Sequence, residues 1–266
     1  MIHLSPTRIT KFLVYVVIGL ALASLLGQYF KFYLGDDMMF GFVPRFDVNT
    51  EQSIPTWYSS ITLLLCSALL ATIAIAKHTA GDRFRYYWTG LAIAFLYLSV
   101  DEAASLHELL NHVTPKVLPD SQAFSQPWVI PAALFALVFG IAYIRFLLHL
   151  PKKTQRFFVA AFVLYVGGAV LMEVVGALHW QAASSTGELS ADQNMMMAVM
   201  LTIEEVFEML GVLAFVYGLL DYIATQFQRL AVSVGSSKSP ASARPAPAMS
   251  QMIGHSFEDT IDSQDI

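Results

Sequence analysis

An all-α, polytopic bundle of membrane-crossing helices is the fold class that this sequence predicts. Three observations carry the prediction. Only 13% of the 266 residues are charged, against roughly a quarter in soluble domains. Hydrophobic residues make up 56%, with a mean hydropathy of +0.58. Apolar stretches close to the ~20 residues that cross a ~30 Å hydrocarbon core recur six times.

The first stretch, residues 12–34, follows Arg8 and Lys11. Its opening, "KFLVYVVIGLALAS", has the basic start, apolar core and Ala-x-Ala site (Ala21 to Ala23) of a cleaved signal peptide. The run continues to Tyr33, longer than such peptides, so an anchor is expected. The connection "DDMMFGFVPRFDVNTEQSIPTWYSS" carries Asp36, Asp37, Asp47 and Glu51 and reads as a solvated loop. Ser53 or Thr56 is expected to cap the second stretch, 57–77. That stretch holds the single cysteine, Cys66, so no intramolecular disulfide forms and the thiol reads as packing.

"KHTAGDRFR" separates it from the third stretch, 87–110. The fourth, 128–149, has Pro131 in its first turn, where proline is tolerated. "HLPKKTQR" leads to the fifth, 157–180, whose Gly167/Gly168 pair is the one candidate hinge, and the sixth covers 197–222. The expected organisation is an N-terminal segment 1–11, a six-helix domain 12–225 and a tail 226–266. The tail is rich in Ser, Ala and Pro, and too poor in apolar surface to fold alone.

Lysine and arginine set the expected direction. Arg8, Lys11, Lys77, Arg83, Arg85, Arg145, Lys152, Lys153, Arg156, Arg229, Lys238 and Arg244 fall on one side, and only Lys31, Arg45 and Lys116 on the other. The positive-inside rule then places both termini in the cytoplasm, in a plasma (inner) membrane. Trp57, Trp128 and Trp180 lie at outer span ends and Trp88 at an inner one, as an interfacial belt requires. Arg145 sits close enough to the inner interface to snorkel. No basic cluster points to nucleic acid.

Within this frame the acids are conspicuous. Asp101, Glu102 and Glu108 in "SVDEAASLHELLNH", Glu173, and Glu204, Glu205 and Glu208 in "LTIEEVFEML" all fall in the outer halves of the third, fifth and sixth stretches. At about 100° per residue, Asp101, Ala104, Ser105, Glu108, Asn111 and His112 form one stripe, flanked by His107. An acid at a helix centre costs about 2.5–3.5 kcal/mol on the insertion scale. The outer halves hold no lysine or arginine apart from Lys31, so protons, bound cations or water must neutralise the cluster.

The first expectation is therefore a metal-dependent membrane enzyme, a hydrolase or oxidoreductase acting on a lipid or other amphiphile. Its divalent ion (Zn, Fe or Mn) is expected on Glu108, Glu173, Glu204 and Glu208 with His107 and His179, and His112 is a further candidate. Asp101 and Glu205 are the candidate general bases. The chain has no Glu-x-x-His of the carboxylate-bridged two-metal kind. In "HELLNH" the second histidine is one residue late for a zincin. The paired-histidine patterns of alkaline-ceramidase-like hydrolases and of membrane desaturases are also absent. The alternatives are a proton- or cation-coupled transporter, or a structural, partner-binding membrane protein whose acids are protonated and hydrogen-bonded.

Overall fold

The computed structural model describes residues 5–118, 127–184 (the backbone alone over 169–184) and 189–227. These residues are all-helical. The order is α1 (Pro6–Tyr33), a 3-10 turn (Met39–Gly41), α2 (Phe42–Phe46), α3 (Ile54–Thr79), α4 (Arg85–Ala104), α5 (Glu108–Val117), α6 (Val129–His149), α7 (Lys152–Ser184) and α8 (Ala191–Gln226). Met1–Gln228 forms one compact unit, and the expected tail lies outside the described residues from 228 onward.

Among the described residues, three helices, α1, α3 and α6, are long and apolar enough to cross a membrane, and α4 with α5 makes a fourth if the bent pair counts as one span. α6 exposes Leu134, Phe135, Leu137, Val138, Ile141 and Leu148. So large a contiguous apolar surface is costly in water and suited to hydrocarbon. The chain is thus built as an integral membrane protein.

Local chemistry explains several boundaries. Ser53 caps α3, its Oγ accepting the Thr56 N–H at 3.3 Å, and Ser190 and Gln193 form a reciprocal capping box at the start of α8. α3 and α4 are joined by small hydroxyls: Ser60 Oγ donates to Ser99 O and Ser99 Oγ to Ser60 O, both at 2.8 Å. Ser67 Oγ adds a bond to Ala92 O at 2.8 Å. Such side chains satisfy themselves between helices where no water is at hand.

α8 is the hub, packed against α7, α1 and α3. Its glycines bring α7 close, since a Cβ on Gly211 would lie 2.8 Å from Tyr165 N and one on Gly218 would lie 3.0 Å from Phe157 Cβ. Toward the α3–α4 turn the interior is aromatic and apolar, with Trp88, Phe146, Phe158, Phe215 and Leu219 buried together.

Two expectations are corrected. The third stretch is not one helix over 87–110. The chain breaks at Ser105, which adopts φ 54°, ψ 39°, and α5 leaves α4 at 98°. The continuous stripe from Asp101 to His112 is therefore lost. Leu109, Val113 and Val117, spaced by four, are exposed instead, the pattern of a helix lying in an interface rather than crossing it. The Gly167/Gly168 pair, expected as a hinge, shows no break. α7 runs through it as one helix, and Gly168 is a close-packing point whose added Cβ would meet Phe207 Cβ at 3.0 Å.

Candidate functional site

The acids gather where α3 begins and α4 finishes, a level that falls in the middle of α8 and beside Val17 of α1. Well beyond that level, the end of α1 is tied to the start of α8, the Tyr33 hydroxyl donating to Asp192 Oδ1 at 2.7 Å. Register along α4 and α8 fixes the levels. Trp88 meets Tyr222 with ring centroids 4.9 Å apart, and seven residues on, Phe95 stacks on Phe215 at 4.5 Å. Seven residues further along these antiparallel helices come Glu102 and Glu208. Aromatic rings thus fill the space between α4 and α8 on one side of this level, and carboxylates occupy it on the other.

The carboxylates sense one another. The charges acting on Glu205 are those of Glu102, Glu204 and Glu51, and those acting on Glu208 are of Glu205, Glu102 and Glu204. All are acidic. Among the described residues the two lysine ion pairs are elsewhere, Lys77–Asp82 at 3.0 Å and Lys153–Asp221 at 2.6 Å. The row consequently draws no neutralisation from either of these lysines.

At the mouth of the row, Asp101 holds the break between α4 and α5. Its Oδ1 accepts the His107 backbone N–H at 2.7 Å and its Oδ2 faces His107 Nδ1 at 3.2 Å. The other imidazole nitrogen, Nε2, lies 3.9 Å from Glu51 Oε1. Trp128 covers the ring with centroids 4.7 Å apart, and its own backbone N–H donates to Asn111 Oδ1 at 3.1 Å. Burial, followed by the charge of Glu108, pushes the Glu51 carboxyl above its ordinary range, against the opposing pull of His107.

The sequence-predicted residues are thus brought together in part. Asp101, His107, Glu204, Glu205 and Glu208 share the level at which α4 finishes, and Glu204, Glu205 and Glu208 are half-buried on α8. Glu108 and His112 are exposed on α5, carried off by the bend. Glu173 and His179 lie in the part of α7 described by its backbone alone, so their side chains are outside the description. Among the described residues no three His, Cys, Asp or Glu side chains form a group that could hold a metal ion. His107 shows one reason, since each of its ring nitrogens already faces a carboxylate.

The sequence points to neither of two participants: Glu51 reads there as loop solvation and Trp128 as interfacial belt. Glu51 carried one faint signal, its place two residues before the Ser53 cap, which pins that part of the connection to the start of α3.

Comparison with known proteins adds one relationship. No curated protein and no solved structure matches the chain. Residues 10–223, which contain every acid of the row, match a family described as a domain of unknown function, DUF8692. The chain belongs to the DUF8692 family.

Proposed function

We propose that this protein takes up protons or cations from one face of a plasma (inner) membrane into the carboxylate row of Glu102, Glu204, Glu205 and Glu208, and couples their binding to transport. In this reading α7 and α8 complete a set of about six crossings, with both termini cytoplasmic. The observation that carries it is the broken helix: α4 stops at Ala104 and turns by 98° beside the acids. Discontinuous helices next to intramembrane ionisable groups are the usual construction of ion-coupled carriers. The stacked Phe95 and Phe215 then close the row on the far side, as alternating access requires of one conformation. Reconstitution into proteoliposomes under a pH or cation gradient tests it. Dissipation should depend on Glu102 and Glu208, and flux unchanged by Glu102→Gln and Glu208→Gln would remove the reading.

A second reading, the metal-dependent enzyme acting on a lipid or amphiphile, is favoured by the same aromatic closure, because a dead end suits a retained ion better than a passing one. Glu204 and Glu208, with Glu173 and His179 from α7, would supply the donors, and His107 would have to leave at least one carboxylate. Elemental analysis of the purified chain decides it. About one to two Zn, Fe or Mn per chain, lost in Glu204→Gln, supports this reading, and metal-free protein from a metal-replete preparation removes it.

A further inference from the structure

Two clefts lie along the seam between α1 and α8. The first, of about 290 Å³, is lined by Thr7, Thr10, Lys11, Val14, Tyr15 and Tyr217. The second, of about 400 Å³, is lined by Leu25, Val199, Thr202, Ile203, Val206 and Phe207. On α1, Lys11, Val14, Ile18 and Leu25 follow one another at helical spacing, and on α8 Val199, Ile203, Val206, Leu210 and Tyr217 do the same. Both clefts therefore open on one face of each helix. Between them Ile18 is 49% and Leu22 63% exposed, so an apolar track joins the two.

The two ends of the track differ in chemistry. At the first cleft Lys11 is exposed, and among the described residues it pairs with no acid. Lys153 lies 5.5 Å from the Tyr217 ring centroid but is engaged by Asp221 at 2.6 Å. Thr10 adds an unmet hydroxyl. Thr72, Thr79, Thr89, Thr202 and Thr225 each donate to the carbonyl four residues back in their own helix, whereas Thr10 Oγ1 is buried with no hydrogen-bond partner. Such a group is costly, and an anionic oxygen beside Lys11 would give it an acceptor after a turn of its side chain. The second cleft offers no charge, and its one hydroxyl, on Thr202, is held by Ala198 O at 2.7 Å. About 21 Å of helix separates Lys11 from Leu25, somewhat more than one leaflet of a ~30 Å hydrocarbon core. An extended fatty acyl chain covers that distance.

We propose that the α1–α8 seam holds one anionic glycerophospholipid, with its phosphate against Lys11 and the Thr7 and Thr10 hydroxyls and one acyl chain running past Ile18 into the cleft of Leu25, Ile203 and Phe207. Charge and length together select this occupant. A soluble phosphate would leave the apolar track uncovered, and a zwitterionic lipid would set its own cation beside Lys11. Ile203, Val206 and Phe207 belong to the same turns of α8 as Glu204, Glu205 and Glu208, so the lipid braces α1 against the level of the carboxylate row.

Native mass spectrometry of the full chain tests the site, with the protein delipidated in detergent and then given phosphatidylglycerol or phosphatidylcholine of the same long acyl chains. One phosphatidylglycerol should stay on each chain, at about fivefold higher occupancy than phosphatidylcholine. Lys11→Gln should abolish that preference, whereas Lys116→Gln, equally exposed but on α5, should keep it. Short-chain phosphatidylglycerol and glycerol phosphate should bind far more weakly than the long-chain lipid, because each buried methylene adds to the affinity. Equal retention of the two lipids overturns the proposal, as does a preference that survives Lys11→Gln or falls as far in Lys116→Gln. Glycerol phosphate bound as tightly as the lipid overturns it too, as does a lipid-free dimer, which would show a second copy of the chain on the seam.

Discussion

Asp101 binds His107 twice, through the backbone N–H at 2.7 Å and the ring Nδ1 at 3.2 Å, across the five residues that contain the α4–α5 break. A carboxylate predicted as a general base is thus also the clamp that fixes a bend. Its side chain is only 14% exposed, so the N–H it serves would not be fully rescued by water. Asp101→Ala should cost about 1–2 kcal/mol, the range for losing a helix-capping acceptor. Asp101→Asn, which keeps an acceptor for the backbone, should cost less. Denaturant unfolding in mixed micelles checks both, and equal losses would mean that the backbone hydrogen bond contributes nothing.

Ser105 pivots the same bend at φ 54°, a left-handed conformation that costs a side-chain-bearing residue roughly 1 kcal/mol and a β-branched one more. Ser105→Gly should leave stability unchanged or raise it by up to about 1 kcal/mol, whereas Ser105→Val should lower it by about 1–3 kcal/mol. A stable Ser105→Val chain would show that α4 and α5 straighten into one helix, which the angle between labels on α4 and α5 would then report.

Why this bend escaped the sequence is physical. Hydropathy sees a stretch from 87 to 110 that is apolar on both sides of Ser105, and serine carries no left-handed signature as glycine does. Helices set by apolar runs alone, α1, α3 and α6, were legible to within a few residues. The common level of Glu102 and Glu208 was legible too, because it follows from rise per residue along two antiparallel helices. Glu51 was not, since a connection has no periodicity to report what it folds against. The two adjacent glycines of α7 looked alike, and only the neighbouring helix distinguishes them.

That distinction is measurable along the α7–α8 seam. A Cβ on Gly211 would lie 2.8 Å from Tyr165 N and 3.0 Å from Ala161 O, both backbone atoms of α7 that cannot swing aside, while one on Gly167 would meet nothing within 4 Å. Gly211→Ala should therefore destabilise by about 1–3 kcal/mol through overpacking. Gly167→Ala should be neutral or gain up to about 1 kcal/mol from helix propensity. Because Gly211 lies one turn from Glu208, prising the seam open should also reduce Glu208-dependent flux in proteoliposomes, and Gly167→Ala should not.

At the opposite end of the bundle, Asp82 gives stability a pH dependence of known sign. Burial pushes its carboxyl up, but the Phe84 N–H at 2.7 Å, the Lys77 ammonium at 3.0 Å and the charge of His149 outweigh it and hold the group below its ordinary range. A carboxylate that ionises more readily folded than unfolded binds fewer protons in the native state. Its contribution is therefore complete above the ordinary carboxylate pKa of about 3.9 and fades as pH falls through the depressed native value. Unfolding midpoints measured from about pH 6 to pH 3 should fall more steeply for the wild type than for Asp82→Asn, and the two curves should converge in acid. Parallel curves would mean that the α3–α4 turn is held by its backbone hydrogen bonds and not by the charge of Asp82.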